Sequence, residues 1–156
     1  MSAVREQMLV EAPVSAVWDL VGDPSRYPDW LPRVFEVQGE RFEEGAEFVQ
    51  VSRQPMFGRS EAHFLIDSVD ELREIRMHCT ISGMFVHWQL TGAQGGTFLD
   101  AEFGMDPLRR RDRVIDGTVG RRFFRRWLAE AMEGLKRATK QDLTSPTSGA
   151  SRGGDP

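Results

Sequence analysis

The sequence predicts an α+β fold in which a curved, seven-stranded antiparallel sheet wraps around a long C-terminal helix. Three observations predict it: seven segments have the apolar pattern of strands, short turn-like links separate the last six of them, and one long amphipathic segment follows. Strands joined by short links must pair antiparallel, because a parallel pair needs a crossover connection of about a dozen residues or more.

The first predicted elements are one strand and two short helices. Residues 4–10 predict a strand that ends before Pro13, a residue suited to the first turn of a helix. Apolar residues at helical spacing from Val14 to Val21 predict a short amphipathic helix that stops near Gly22. Asp23 can cap a second, very short helix within the proline-rich segment 23–32.

From Val34 onward the apolar pattern changes to a period of two, which is typical of strands. Turn-like segments rich in Gly, Pro, Asp and Glu separate these strands. The predicted strands cover residues 34–42, 46–53, 59–69, 73–82, 85–91 and 97–105. Together with residues 4–10 they make up the predicted sheet.

One long helix is predicted over residues 119–143. Its apolar stripe repeats at three- and four-residue steps and consists of Phe124, Leu128, Ala131, Leu135 and Ala138, broadened by Phe123, Trp127 and Met132. Residues 144–156 are rich in Ser, Gly and Pro and poor in apolar residues, which predicts a disordered tail. The sequence therefore predicts one domain, residues 1–143, followed by that tail.

The composition is that of an ordinary globular protein, with 40% hydrophobic and 28% charged residues. The single cysteine, Cys79, cannot form an internal disulfide, and the N-terminal segment lacks the continuous apolar stretch of a signal peptide. We therefore expect a cytoplasmic protein without stable membrane insertion. The net charge of −4 opposes general attraction to nucleic acid, which is not an expected partner.

Two N-terminal motifs carry a family resemblance: VEAPVSAVW at residues 10–18 and DPSRYPDWLP at residues 23–32. With the order of elements over residues 4–143, they make the chain similar to the SRPBCC superfamily. That superfamily includes START-like lipid-transfer domains, the birch-pollen-allergen group and polyketide cyclase/dehydrases. The resemblance implies a helix-grip fold with a cavity between the sheet and the C-terminal helix, but it names no ligand, because one fold serves many functions.

Strand parity predicts which residues face this cavity. Tight turns are expected to place Phe64 opposite Met77 and Met77 opposite Trp88, on one face of the sheet. The resemblance implies that Tyr27 and Trp30 lie near the mouth of the cavity, where they could instead plug the end of the core, and the turn at residues 55–58 could form a lid over it. The predicted lining residues are Tyr27, Trp30, Phe57, Phe64, Met77, Trp88, Phe103, Met105, Phe124, Trp127, Leu128 and Met132.

The same pairing predicts a row of histidines on the opposite face. His63 would lie opposite His78, and His78 opposite His87, within reach of a shared metal ion. The alternative is a polar outer face that carries histidines without a metal role. We expect no metal site and no cofactor, and any ion bound by this row would be adventitious.

Candidates for acid–base chemistry in the cavity are few. Arg53, Tyr27 and Arg41 are the weak catalytic candidates, and the two arginines would point inward if Val37 pairs with Val51. Cys79 is expected to lie buried among apolar residues without a histidine on its face, which argues against a nucleophile.

The leading functional hypothesis is a carrier or sequestering protein for a hydrophobic small molecule such as a lipid, an isoprenoid or a polyketide. The alternative is a cyclase, aromatase or dehydratase that acts in the same cavity. A third hypothesis is an interaction module, because eight arginines between Arg109 and Arg126 could bind an acidic partner. A homodimer is also left open.

Overall fold

The computed structural model describes residues 2–54, 58–105 and 118–144. Seven strands, two α-helices and one 3₁₀ helix follow one another in these segments. The strands are β1 (Ser2–Val10), β2 (Val34–Gln38), β3 (Glu47–Gln54), β4 (Gly58–Asp70), β5 (Glu74–Cys79), β6 (Met84–Ala93) and β7 (Gly96–Met105). The helices are α1 (Val14–Val21), the 3₁₀ helix (Pro24–Asp29) and α2 (Thr118–Thr144).

All seven strands belong to one antiparallel sheet in the order β1-β7-β6-β5-β4-β3-β2. Helix α2 packs against β1, β7 and α1, so it lies across the β1 side of the sheet. This is the expected helix-grip arrangement of α+β class. The predicted tail at residues 144–156 lies outside the described residues apart from Thr144, which ends α2.

The 3₁₀ helix forms where the sequence predicts a very short helix. The carboxylate of Asp23 accepts a hydrogen bond from the backbone N–H of Ser25 at 3.1 Å, and Pro24 occupies the first turn. Pro28 inside the segment removes a donor that a longer helix would need, so the helix ends at Asp29. The segment thereby places two aromatic side chains, Tyr27 and Trp30, in the core.

The apolar stripe of α2 is buried as the sequence predicts. Leu128, Ala131 and Leu135 are fully inaccessible, and Phe124 and Ala138 are nearly so. This stripe joins a continuous core formed by the inner face of the sheet and by α1. The packing of α2 on β1 and α1 determines which part of the sheet it leaves uncovered.

The register between neighbouring strands differs from the prediction, although the inward face is the same. Phe64 pairs with Cys79 rather than Met77, and Met77 pairs with Val86 rather than Trp88. The link between β5 and β6 is longer than the sequence predicts, because residues 80–83 connect these strands, and in β4 a β-bulge follows Ile66. A shift of two residues preserves the face, since side chains alternate with a period of two.

Candidate functional site

A cavity of about 270 Å³ lies between the N-terminal part of α2, the 3₁₀ helix and the inner face of β3–β7. Ligand pockets in proteins usually measure about 300–1,000 Å³, so this cavity suits a small ligand. Ile81 and Phe123 line it while remaining 59% and 45% exposed, which marks the side on which it meets solvent. The predicted residues that line it are Tyr27, Phe64, Met77, Trp88, Phe103, Met105 and Trp127.

One wall of the cavity is aromatic. The rings of Phe103 on β7 and Trp127 on α2 stack with centroids 4.5 Å apart and planes 20° from parallel. Trp88 on the neighbouring strand β6 is 1% exposed and lines the same wall. Because the rings of Phe103 and Trp127 already pack on each other, this part of the wall is preformed and offers a flat apolar surface to a ligand.

Tyr27 contributes its ring to the cavity, but its hydroxyl is engaged elsewhere. The Oη atom donates a hydrogen bond to the backbone carbonyl of Val21 at 3.0 Å. Burial raises the pKa of the phenol strongly, and the charge of Asp23 raises it further. Tyr27 is therefore a neutral wall residue whose proton is held by the backbone, and the geometry gives no support to its proposed catalytic role.

Trp30 lies behind the wall and does not line the cavity, contrary to the prediction. Its Nε1 atom donates to the carbonyl of Leu20 at 3.1 Å, and its ring packs edge-on against Trp88 and Tyr27, with centroids 5.3 and 5.6 Å away. With these contacts, the indole ring lies in the space between α1, α2 and the sheet. Trp30 therefore supports the two lining rings from behind.

Three further predicted lining residues belong to the closed core. Phe124, Leu128 and Met132 are buried but do not reach the cavity, because α2 packs closely on β1 and α1 along this stretch. The neighbouring Phe123 lines the cavity instead. Phe57 lies outside the described residues together with residues 55 and 56 of the predicted lid, and Gly58, the last residue of that turn, begins β4.

A polar group faces the cavity from β3 and β4. Gln50 is buried with 9% of its surface exposed, and two residues further along the same face of β3 lies Ser52. Ser52 is the direct cross-strand partner of Ser60 on β4, and both residues line the cavity. This cluster is not among the predicted site residues, although the two-residue spacing of Gln50 from the inward-facing Phe48 identifies its face.

The Cys79 thiol also lines the cavity and is 3% exposed. Burial alone raises the pKa of this thiol, but hydrogen bonds with the side chain and backbone of Ser82 and with the backbone of Ile81 and His63 lower it below its ordinary value overall. The prediction of a buried cysteine without a histidine side chain beside it agrees with this placement. The thiol is nevertheless more acidic than that prediction implies.

Arg53 and Arg41 are not among the described residues that line the cavity, so the predicted inward orientation is not found. Val37 pairs with Gln50, not with Val51, and a bulge lies between Val34 and Glu36. Arg53 follows the inward-facing Ser52 on β3 and therefore points to the outer face, where its guanidinium lies over the exposed ring of Phe35, 5.9 Å from the ring centroid. Arg41 lies beyond the end of β2 and is 80% exposed.

The predicted histidine row is absent. The register places His78 opposite Leu65 and Phe85, and it places His87 opposite Arg76. The outer-face carboxylates pair with the imidazoles separately: His78 Nδ1 lies 2.8 Å from Asp67, and His87 Nε2 lies 3.0 Å from Glu74. Within residues 2–54, 58–105 and 118–144 no group of three or more His, Cys, Asp or Glu side chains could hold a metal ion.

The family described as "Polyketide cyclase / dehydrase and lipid transport" matches residues 1–140 of the chain. The chain belongs to this family. The assignment agrees with the resemblance to the SRPBCC superfamily, and the family's fold is one that binds hydrophobic small molecules. A comparison with curated proteins finds no match.

Solved structures of the same fold share little sequence with this family member. Protein NE0264 from Nitrosomonas europaea is 15% identical with a TM-score of 0.75, covering 92% of this chain and 97% of its own. A START superfamily protein from Mycobacterium smegmatis is 13% identical with a TM-score of 0.73, covering 89% and 97%. The di-domain ARO/CYC StfQ from the steffimycin biosynthetic pathway is 17% identical with a TM-score of 0.67, covering 88% of this chain and 49% of its own.

No helix in the described part of the chain is long and apolar enough to cross a membrane.

Proposed function

We propose that this protein binds an apolar small molecule in the cavity between the sheet and α2 and carries or sequesters it without chemical change. The observation that carries the proposal is the aromatic wall of Trp88, Phe103 and Trp127 around a cavity that is open to solvent on one side. Burial of apolar surface supplies about 25 cal/mol per Å², so such a wall favours apolar ligands without requiring charged contacts.

The scarcity of acid–base groups favours a carrier over a cyclase or dehydratase. Among the described lining residues, the Tyr27 hydroxyl is bound to the backbone, and Glu61 forms an ion pair with Arg59 at 3.3 Å. Cys79 is the remaining titratable lining side chain in the described segments. General acid–base catalysis needs positioned groups that face the substrate, and this arrangement supplies few of them.

The arginine-rich surface is a weaker basis for function. Arg109, Arg110, Arg111 and Arg113 lie outside the described residues, and exposed Arg126 forms an i,i+4 ion pair with Glu130. Arg122 and Arg125 are exposed, as is usual for charged residues on a solvated helix face. The cavity therefore supports function more directly than this surface does.

A cavity-filling variant with a matched control tests the proposal. Ala62 lines the cavity, whereas the next residue on β4, His63, is exposed on the outer face. Ala62→Phe should weaken the binding of naphthalene, measured by titration calorimetry, at least ten-fold, and His63→Phe should leave it unchanged. Equal naphthalene binding by wild type and Ala62→Phe would contradict the proposal, as would the absence of binding to wild type.

Native mass spectrometry separates the carrier from the enzyme. A carrier should retain an apolar compound through purification, and the compound should keep its mass after prolonged incubation with fresh protein. A change of mass that depends on the folded protein would establish the cyclase or dehydratase alternative.

A further inference from the structure

The described part of the chain has three buried polar side chains, and one of them lacks a partner. Thr97 Oγ1 donates to the carbonyl of Ala12 at 2.8 Å, and Thr139 Oγ1 donates to the carbonyl of Leu135 at 2.9 Å. The side-chain amide of Gln50 has no hydrogen-bond partner among the described residues. Buried polar groups in folded proteins are almost always hydrogen-bonded, so the exception calls for a physical explanation.

The Gln50 amide lies where a ligand could supply that partner. It is nine-tenths buried, it lines the cavity, and its cross-strand neighbour is Ala62, which leaves space beside it. An amide offers two N–H donors and a carbonyl acceptor, so it can bind a hydroxyl or a carbonyl group equally well. The apolar wall from β6 and β7 lies several strands away from this amide, on the other side of the cavity.

The charges around the cavity exclude one kind of polar ligand. No Lys, Arg or His is among the lining residues within the described segments, and the lining carboxyl group, Glu61, is paired with Arg59, which does not itself line the cavity. A carboxylate bound beside Gln50 would lose its hydration without gaining a cation, which is unfavourable in a buried site. A neutral oxygen group loses less hydration and satisfies the amide.

We propose that the cavity selects neutral apolar molecules that carry a hydroxyl or carbonyl oxygen, which the Gln50 amide binds, and that it discriminates against the corresponding carboxylates. This inference rests on the proposed function, because it assigns the polar end of the same cavity. It makes Gln50 the residue that distinguishes an oxygenated ligand from a plain hydrocarbon.

Three probes that share one two-ring skeleton test the inference at pH 7: 2-naphthol, naphthalene and 2-naphthoate. Calorimetric titration of the full chain should show 2-naphthol binding about ten-fold tighter than naphthalene, and 2-naphthoate binding at least ten-fold weaker than 2-naphthol. Gln50→Leu should bring the ratio of the 2-naphthol and naphthalene affinities close to one. The matched control is Gln89→Leu, at an exposed glutamine on β6, which should keep the wild-type ratio.

The outcomes separate this inference from the proposed function. Naphthalene binding without a preference for 2-naphthol, an unchanged ratio in Gln50→Leu, or 2-naphthoate binding as tight as 2-naphthol binding would each overturn the inference while leaving a hydrophobic carrier in place. Failure of all three probes to bind the wild-type protein would overturn both.

Discussion

The backbone carbonyl of Trp30 lies against the Cα of Gly134 on α2, in the space that a Cβ atom would need. The close approach lets the helix settle directly on the segment that follows the 3₁₀ helix. A residue with a side chain at this position would meet backbone atoms, which cannot move away as the end of a flexible side chain can.

Gly134→Ala should therefore destabilise the protein by about 1–3 kcal/mol, although alanine is the better helix former by about 1 kcal/mol. The measurement is the free energy of unfolding in urea. Gly92→Ala is the matched control, because a Cβ there would meet only Val14 Cγ2 at an ordinary 3.6 Å. Equal stability of Gly134→Ala and wild type would show that α2 does not pack on Trp30 this closely.

Tyr27 should stay protonated in the folded protein well above pH 10, because burial raises its pKa above the ordinary value of 10.0. It is the single tyrosine of the chain, so tyrosinate absorbance at 295 nm reports on it alone. Above pH 10 the unfolded chain releases the phenolic proton while the folded chain keeps it. The free energy of unfolding should consequently be unaffected by this group below about pH 10 and fall as the pH rises further.

Tyr27→Phe should remove that alkaline loss and, at pH 7, cost about 1 kcal/mol for the hydrogen bond to the Val21 carbonyl. Urea titrations at pH 7 and above pH 10 measure both effects. Tyrosinate formation near pH 10 in protein that remains folded would contradict the buried position of the phenol.

Cys79 should report on occupancy of the cavity, since it is the only thiol in the chain and lines the cavity wall. Alkylation by N-ethylmaleimide, followed by mass spectrometry, should slow several-fold when 2-naphthol is bound. Because the pKa of the thiol is lowered, the alkylation rate should begin to rise at a lower pH than it does for free cysteine. In urea, 2-naphthol should not change the rate at which Cys79 is alkylated. Slower alkylation in urea, or an unchanged rate in the native protein, would contradict the position of Cys79 in the cavity wall.

Arg26 links the 3₁₀ helix to the end of α2, with Asp29 at 2.6 Å and Asp142 at 3.2 Å. The Asp29 hydrogen bond and the nearby Asp142 raise the pKa of Arg26 despite partial desolvation, so the guanidinium stays charged. Asp142→Asn should lower the free energy of unfolding by at most about 1 kcal/mol, since such partly exposed pairs are weak. In 1 M salt, the difference in unfolding free energy between Asp142→Asn and wild type should disappear, because salt screens the ion pair. Glu130→Gln, which breaks a pair within α2, is the control for a general change of helix charge.

The order and type of the elements follow from local patterns. The end of α1 at Gly22, the cap at Asp23 and the buried stripe of α2 are each encoded within a few neighbouring residues. Strand parity likewise identifies the inward face that carries Phe64, Met77 and Trp88. Such periodicities depend only on neighbouring residues, so the inward face of a strand is predicted correctly even when the length of the adjoining turn is not.

Register, and everything that depends on it, does not follow from local patterns. The link between β5 and β6 has four residues, and the observed register places His78 opposite Phe85 and His87 opposite Arg76. On the other side of the sheet, β2 pairs with β3 in a register that places Val37 opposite Gln50, and a bulge lies between Val34 and Glu36. A shift of two residues keeps the same side chains on the inward face but changes every cross-strand neighbour.

The sequence by itself thus determined a helix-grip fold with an apolar inner face, because hydrophobic periodicity and turn residues are local properties of the chain. Only the tertiary structure decided that Trp30 supports the wall instead of lining it, that Phe124 belongs to the closed core, and that an unpartnered amide at Gln50 faces the cavity. Whether a buried residue meets another side chain or an open space depends on how α1, α2 and the sheet pack together, and no single segment contains that information.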